Sequence, residues 1–283
     1  MNINNIKQHG VGIGFREEIS KDIFNHRESI ECVEIITERY IYPKSEYQLK
    51  RLSEQFKIVP HGVSLSIALS KLEKDDLKKI KRVCDIVQCE YYSEHLCLSA
   101  VPGIDLGHLT PIVMNERSLT NIIKNINTFQ DYIERPLVLE NITYDFQMPG
   151  NEISQEQFFH SLVKETNCGV LLDLANIHTN SYNHHFDPYL FTDNMPLQNI
   201  VQVHLAGGSY SHDKKILFDS HNNPVEEKTW ILLDYLLKKT KVKTIILEHD
   251  SNFPEDFEIL LSQLRRVQTI QQINRTYKAI RTI

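Results

Sequence analysis

Glycine and proline are sparse here, ten of each in 283 residues. No Gly/Ser-rich or Pro-rich stretch divides the chain as a linker, and no low-complexity tract interrupts it. Long apolar runs are missing too, so no segment is expected to span a bilayer and no membrane partner is expected. Positive charge is not in excess. The net charge of -6 argues against a dedicated nucleic-acid binder, whose footprint is a basic face. Lys78, Lys79, Lys81 and Arg82 form one basic run, read as the solvated face of a helix. Cysteine is scarce and odd in number: Cys32, Cys84, Cys89, Cys97 and Cys168, with no Cys-x-x-Cys pair. With no secretory apolar region opening the chain, reduced thiols and a cytoplasmic location are expected.

What is present is alternation. Strand-like runs at Val11 to Phe15, Glu31 to Thr37, Lys57 to Ile67, Glu90 to Ser99, Pro136 to Ile142, Gly169 to His178, Asn199 to Leu205 and Lys243 to Glu248 are separated by helix-like stretches. Ser154, with Gln157 three residues on, has the form of a capping box. Residues 100–111 read as a loop from their Gly and Pro positions. Eight such units in a chain of this length predict an α/β fold, a (β/α)8 TIM barrel. One domain over residues 1–283 is expected, with a last helix at about 254–274.

The polar residues of these strands collect at their C-terminal ends, where a barrel of this type carries its chemistry. They are His61, His95, Glu140, Asp173, Asn176, His204 and Glu248, joined by Asp219 and His221 from the loop after the seventh strand. Imidazoles and carboxylates brought to one rim form a metal site. That donor set suits iron, zinc or manganese rather than copper(I) or an iron–sulfur cluster. It exceeds the needs of one ion, so two or three ions are expected. Taken singly, a strand-end histidine is more often a hydrogen-bonded structural residue than a ligand. Taken together, so many buried ionisable groups would repel one another or go unsatisfied without a cation. His9 and His26 read as exposed, and His108, His212 and His249 are left open.

The motifs fall in a recognisable order. Gly12-Ile-Gly14-Phe-Arg16, His61-Gly-Val-Ser64-Leu, Glu94-His95-Leu-Cys-Leu-Ser99 and Leu139-Glu140-Asn141 come first. Leu172-Asp173-x-x-Asn176, Gln202-Val-His204-Leu-Ala-Gly207, Asp219-Ser-His221 and Leu247-Glu248-x-Asp250 follow. This series resembles the multinuclear non-heme iron-dependent oxidative enzymes, the family that includes the iron-containing subunit of methanobactin biosynthesis. The resemblance implies a TIM barrel holding two or three irons, mixed iron(II) and iron(III), with molecular oxygen as co-substrate. It implies oxidative modification of a ribosomally made precursor peptide at cysteine. A leader-binding partner protein, forming a heterodimer and presenting the peptide, is expected with it.

Carried over by motif, the nine residues from His61 to Glu248 named above are the implied ligands. Glu140, a plausible bridge, is grouped with Asp173 and His204 at the reacting centre. Glu38, Asn141, His178, His249 and Asp250 are assigned to the substrate or to the layer behind the ligands. Three positions depart from the family pattern: Ala175 for an Asn, His178 for an aromatic, and His249 for an Arg. Loss of that Arg removes a fixed bidentate donor, which His does not replace. A multinuclear zinc hydrolase or endonuclease, or a sugar isomerase, on a similar barrel is the alternative, and a metal-binding scaffold without catalysis is a third reading.

Overall fold

The computed structural model describes residues 2–101 and 103–281, with side chains described up to residue 277. Eight parallel strands close into a barrel: β1 Gly10–Gly14, β2 Cys32–Ile36, β3 Lys57–Gly62, β4 Tyr92–His95, β5 Leu137–Glu140, β6 Gly169–Asp173, β7 Ile200–Leu205 and β8 Thr244–Leu247. Each strand pairs with its neighbour in sequence, and β1 closes on β8 through Gly10↔Thr244 to Ile13↔Leu247. Helices stand between them on the outside, which confirms the TIM barrel.

The strands read as continuous apolar runs because both faces are covered. Outward-facing Val11, Ile13, Val33, Ile35, Leu139 and Leu172 join the large core shared with the helices. Inward-facing residues make a second, smaller cluster: Val59, Tyr91, Val138, Leu171 and Val201, together with Ile3 and Ile6 from the first turn of chain. Side chains two residues apart share a face of a strand. Thus Val59 lies below His61, Val138 below Glu140 and Leu171 below Asp173. The apolar cluster forms the floor on which the polar residues stand.

Several boundaries differ from the sequence reading. Strand β3 stops at Gly62 rather than Ile67, and β4 stops at His95 rather than Ser99. The segment read as a loop is a hairpin, Leu98–Val101 against Ile104–Thr110. A second hairpin, Gly207–Tyr210 against Leu217–Asn223, carries Asp219 and His221. Strand β6 ends at Asp173, and the helix Leu174–His184 begins there, so Asn176 and His178 are helical. The cause is local: the Asp173 carboxylate caps the helix, accepting the Asn176 backbone N–H at 2.7 Å. The capping box at Ser154 and Gln157 forms as expected. The final helix runs from Glu258 to Arg281, starting later and ending later than 254–274.

Candidate metal centre

Seven of the nine residues expected at the rim line one cavity, of about 470 Å³, at the C-terminal ends of the strands; Asp173 and His204 do not line it but lie within 4 Å of His221 and Glu140 respectively. Glu140 stands at its centre. Its Oε2 lies 3.4 Å from His61 Nε2 and 3.5 Å from His95 Nε2, and its Oε1 lies 3.4 Å from His204 Nδ1. His204 Nδ1 is also 3.1 Å from Glu248 Oε2 and 3.9 Å from Asp173 Oδ2. His221 completes the set, with Nε2 at 2.6 Å from Asp219 Oδ1 and 4.0 Å from Asp173 Oδ2, and Nδ1 at 3.2 Å from Glu248 Oε2.

Three of the resulting triads share corners. His61, His95 and Glu140 form one; Glu140, Asp173 and His204 the next; Asp173, His221 and Glu248 a third. A carboxylate common to two triads is where a bridging ligand would sit. Glu34, His204 and Glu248 form a further close group.

Whether these residues fit a metal is decided by atoms left without hydrogen bonds. Glu140 Oε2, Asp173 Oδ2, Asn176 Oδ1, His204 Nδ1 and His221 Nε2 are all buried and unpartnered. Short distances such as His221 Nε2 to Asp219 Oδ1 lack hydrogen-bond alignment. Burying one unsatisfied ionisable group costs several kcal/mol, and here several cluster. A bound cation satisfies them together. The donor set fits the metal.

Electrostatics in the metal-free protein agree. Burial pushes the Asp173 carboxyl up to about 8, with Glu140 and Asp219 adding to it against the pull of His221 and His204. Burial also opposes charge on Glu140, but His95, His204 and His61 outweigh it and hold that carboxyl at about 2. His95 is driven up to about 9 by Glu140 and Glu94 against its own burial. His204 and His221 are raised well above the ordinary imidazole range, against burial, by Glu34, Glu248 and Glu140 and by Asp219 and Glu248 respectively. Without metal, protons occupy the places a cation would take.

Outer contacts hold these candidate donor atoms in place. His61 Nδ1 meets Ser93 Oγ at 3.0 Å and His95 Nδ1 meets the Gly62 carbonyl at 3.1 Å, which turns both Nε2 atoms to Glu140. The second contact needs a bare backbone: a Cβ on Gly62 would lie 2.1 Å from the Tyr92 hydroxyl. Asn141 brackets Asp173, donating to its carbonyl at 3.0 Å and accepting its N–H at 2.9 Å, and Asn176 Nδ2 donates to the Asn141 carbonyl at 3.0 Å. Asp250 meets His221 Nδ1 at 3.5 Å and pairs with Arg16. His221 itself has φ 44, a left-handed backbone uncommon outside glycine.

Some assigned residues lie elsewhere. Glu38 accepts the N–H groups of Val63 and Ser64 at 3.0 and 2.9 Å, which pins the loop after β3. His178 contacts Glu226 at 3.4 Å, away from the ligand atoms, and His249 contacts the Asn252 carbonyl at 3.2 Å. His9, read as exposed, is buried against Tyr91. All five cysteines are free and buried. The basic run is largely paired, Lys79 with Asp76, Lys81 with Glu134 and Arg82 with Glu46, as a solvated face should be.

Two residues at the site went unassigned in the sequence. Glu34 accepts from His204 Nε2, and Arg16, buried, reaches Glu248 at 3.4 Å as well as Asp250. Arg16 belongs to a quoted motif, whereas Glu34 sits inside an apolar strand with no signal beyond its own charge.

A family model described as RiPP precursor modification enzyme MbnB/TglH/ChrH matches residues 10–272. A UPF0276 protein of Acaryochloris marina is 30% identical over 262 residues, covering 92% of this chain and 94% of that protein. One of Shewanella oneidensis is 31% identical over 265 residues, with 92% and 94% covered. Among solved structures, an L-ribulose 3-epimerase superposes with a TM-score of 0.62 at 12% identity, covering 98% of this chain and 99% of that one. D-Psicose 3-epimerase from Clostridium cellulolyticum H10 gives 0.60 at 11% identity, with 94% and 98% covered. At such identities the structural likeness is one of fold alone.

Proposed function

The chain belongs to the MbnB/TglH/ChrH family of RiPP precursor modification enzymes, and from that premise we propose that it is a multinuclear iron enzyme using molecular oxygen to modify a precursor peptide oxidatively at cysteine. The observation that carries the metal part is the set of buried unpartnered atoms on Glu140, Asp173, Asn176, His204 and His221. His61, His95, Glu140, Asp173, Asn176, His204, Asp219, His221 and Glu248 are the proposed ligands for two or three ions, with Glu140 and Asp173 as shared corners. Glu140, Asp173 and His204 stand nearest the reacting centre.

Bound iron supplies redox chemistry with oxygen and coordination positions for a substrate thiolate. The chain's own residues supply the rest. Ser93 and the Gly62 carbonyl orient His61 and His95; Asn141 and Asn176 hold Asp173. Arg16 offsets the negative charge of Glu248 and Asp250 beside His221. Iron, oxygen, cysteine and a peptide-presenting partner in a heterodimer rest on the family resemblance, not on the geometry. Among the described residues no helix is long and apolar enough to cross a membrane.

The sugar-isomerase alternative draws only on a fold likeness, and the zinc-hydrolase alternative on the donor set. Iron-loaded protein given its precursor peptide and partner should consume oxygen and change the peptide's mass. Zinc-dependent phosphodiester or sugar turnover indifferent to oxygen would replace this reading with the alternative.

A further inference from the structure

A second cavity, of about 330 Å³, adjoins the metal cavity, and Ile142 is a wall of both. Leu96 and Ile142 line it, and each follows a proposed ligand closely in the chain: Leu96 comes directly after His95, and Ile142 two residues after Glu140. The shared Ile142 wall puts the second cavity next to the metal cavity. Ile112 and Met114 continue the lining from the segment directly after the first hairpin, whose His108 and Leu109 face the metal cavity. The floor is buried, Leu96 at 2%, Ile142 at 4% and Ile112 at 6% exposure. The rim is open and mixed: Phe146 and Leu190, each 60% exposed, stand among Gln147, Gln155, Glu156 and Asp187. Large apolar side chains left in water beside an apolar hollow mark a surface that something covers.

We propose that this cavity is a specificity pocket for a bulky apolar side chain of the precursor peptide, the residue neighbouring the one held at the metal centre. This rests on the reading that a peptide is the substrate. A volume near the lower bound of about 300–1,000 Å³ for small-ligand sites suits one large side chain. The buried floor offers an aliphatic surface and no charge, while Glu156 and Asp187 stand at the mouth, so the pocket selects against glycine and against an acidic neighbour. The ligand residues fix where the reacting residue sits. The pocket fixes what stands beside it.

N-acetyl-L-phenylalaninamide and N-acetylglycinamide, titrated into the full chain with and without iron and followed by ligand-observed NMR, test this without turnover. The phenylalanine amide should bind at least about tenfold more tightly, the ratio expected when an apolar side chain leaves water. Leu190→Trp, at the exposed rim, should remove that preference while iron content and melting temperature stay unchanged. Equal binding of the two amides, or a preference that survives both Leu190→Trp and Phe146→Trp, overturns the pocket. Failure of the iron reading registers separately, as absent iron in a protein that still prefers the phenylalanine amide.

Discussion

His204 Nε2 lies 3.0 Å from Glu34 Oε2, while its Nδ1 has no hydrogen-bond partner and faces Glu140, Asp173 and Glu248. Gln202 also donates to Glu34 and contacts Tyr91, so the carboxylate is held from beneath. A carboxylate on one imidazole nitrogen favours the proton there and leaves the other nitrogen available to a cation. Glu34→Ala should therefore weaken metal affinity about 10- to 100-fold. Anaerobic titration with iron(II) measures it, and affinity equal to wild type would remove Glu34 from the site.

Glu140 touches three imidazoles through two oxygens. Glu140→Ala should lower iron stoichiometry and abolish peptide modification while the circular dichroism of the barrel persists, because Val138 and the floor beneath are untouched. Iron content equal to wild type would show that no ion is bridged there.

Metal binding should strengthen with pH. His95, raised to about 9 in the metal-free fold against an ordinary 6.5, adds stability that is complete below 6.5 and is lost as pH climbs through 9. Asp173, raised to about 8 from 3.8, binds a proton in the fold that the unfolded chain has released, so stability again falls across that interval. Metal displaces both protons. The gain in melting temperature on anaerobic iron loading should grow from pH 6 to pH 8, by calorimetry. A gain that shrinks over this range would contradict the proton-for-metal exchange.

His178 touches Glu226, which also accepts from the Tyr210 hydroxyl at 2.8 Å, so it ties the helix after β6 to the second hairpin. His178→Phe should leave iron content intact, because His178 offers no donor atom to the cluster, and change the KM for peptide, because the hairpin it ties is one wall of the cavity. Loss of iron in this variant would place His178 among the ligands instead.

The barrel was legible because strands covered on both faces must be apolar throughout, and the ligand candidates were legible because their polarity breaks those runs at one end. Asn176 was found but misplaced on a strand. Leu174, Ala175 and Ile177 continue the apolar run, and only the capping geometry of Asp173 shows that a helix has begun. Glu34 was hidden for the opposite reason. A single charge between Val33 and Ile35 shows its inward direction only once Glu34 is set in register beside Gly14 and Val59. The two hairpins were missed because their strands lie outside the core and are rich in Asp, Gly, Ser and Asn, which read as loops.

The unpartnered donors around Glu140 are proposed to hold iron. Metal analysis of protein reconstituted anaerobically with iron(II) tests this most directly. About two or three iron ions per chain are expected, the number this donor set can satisfy. Protein that retains no iron after both anaerobic and aerobic reconstitution would contradict it.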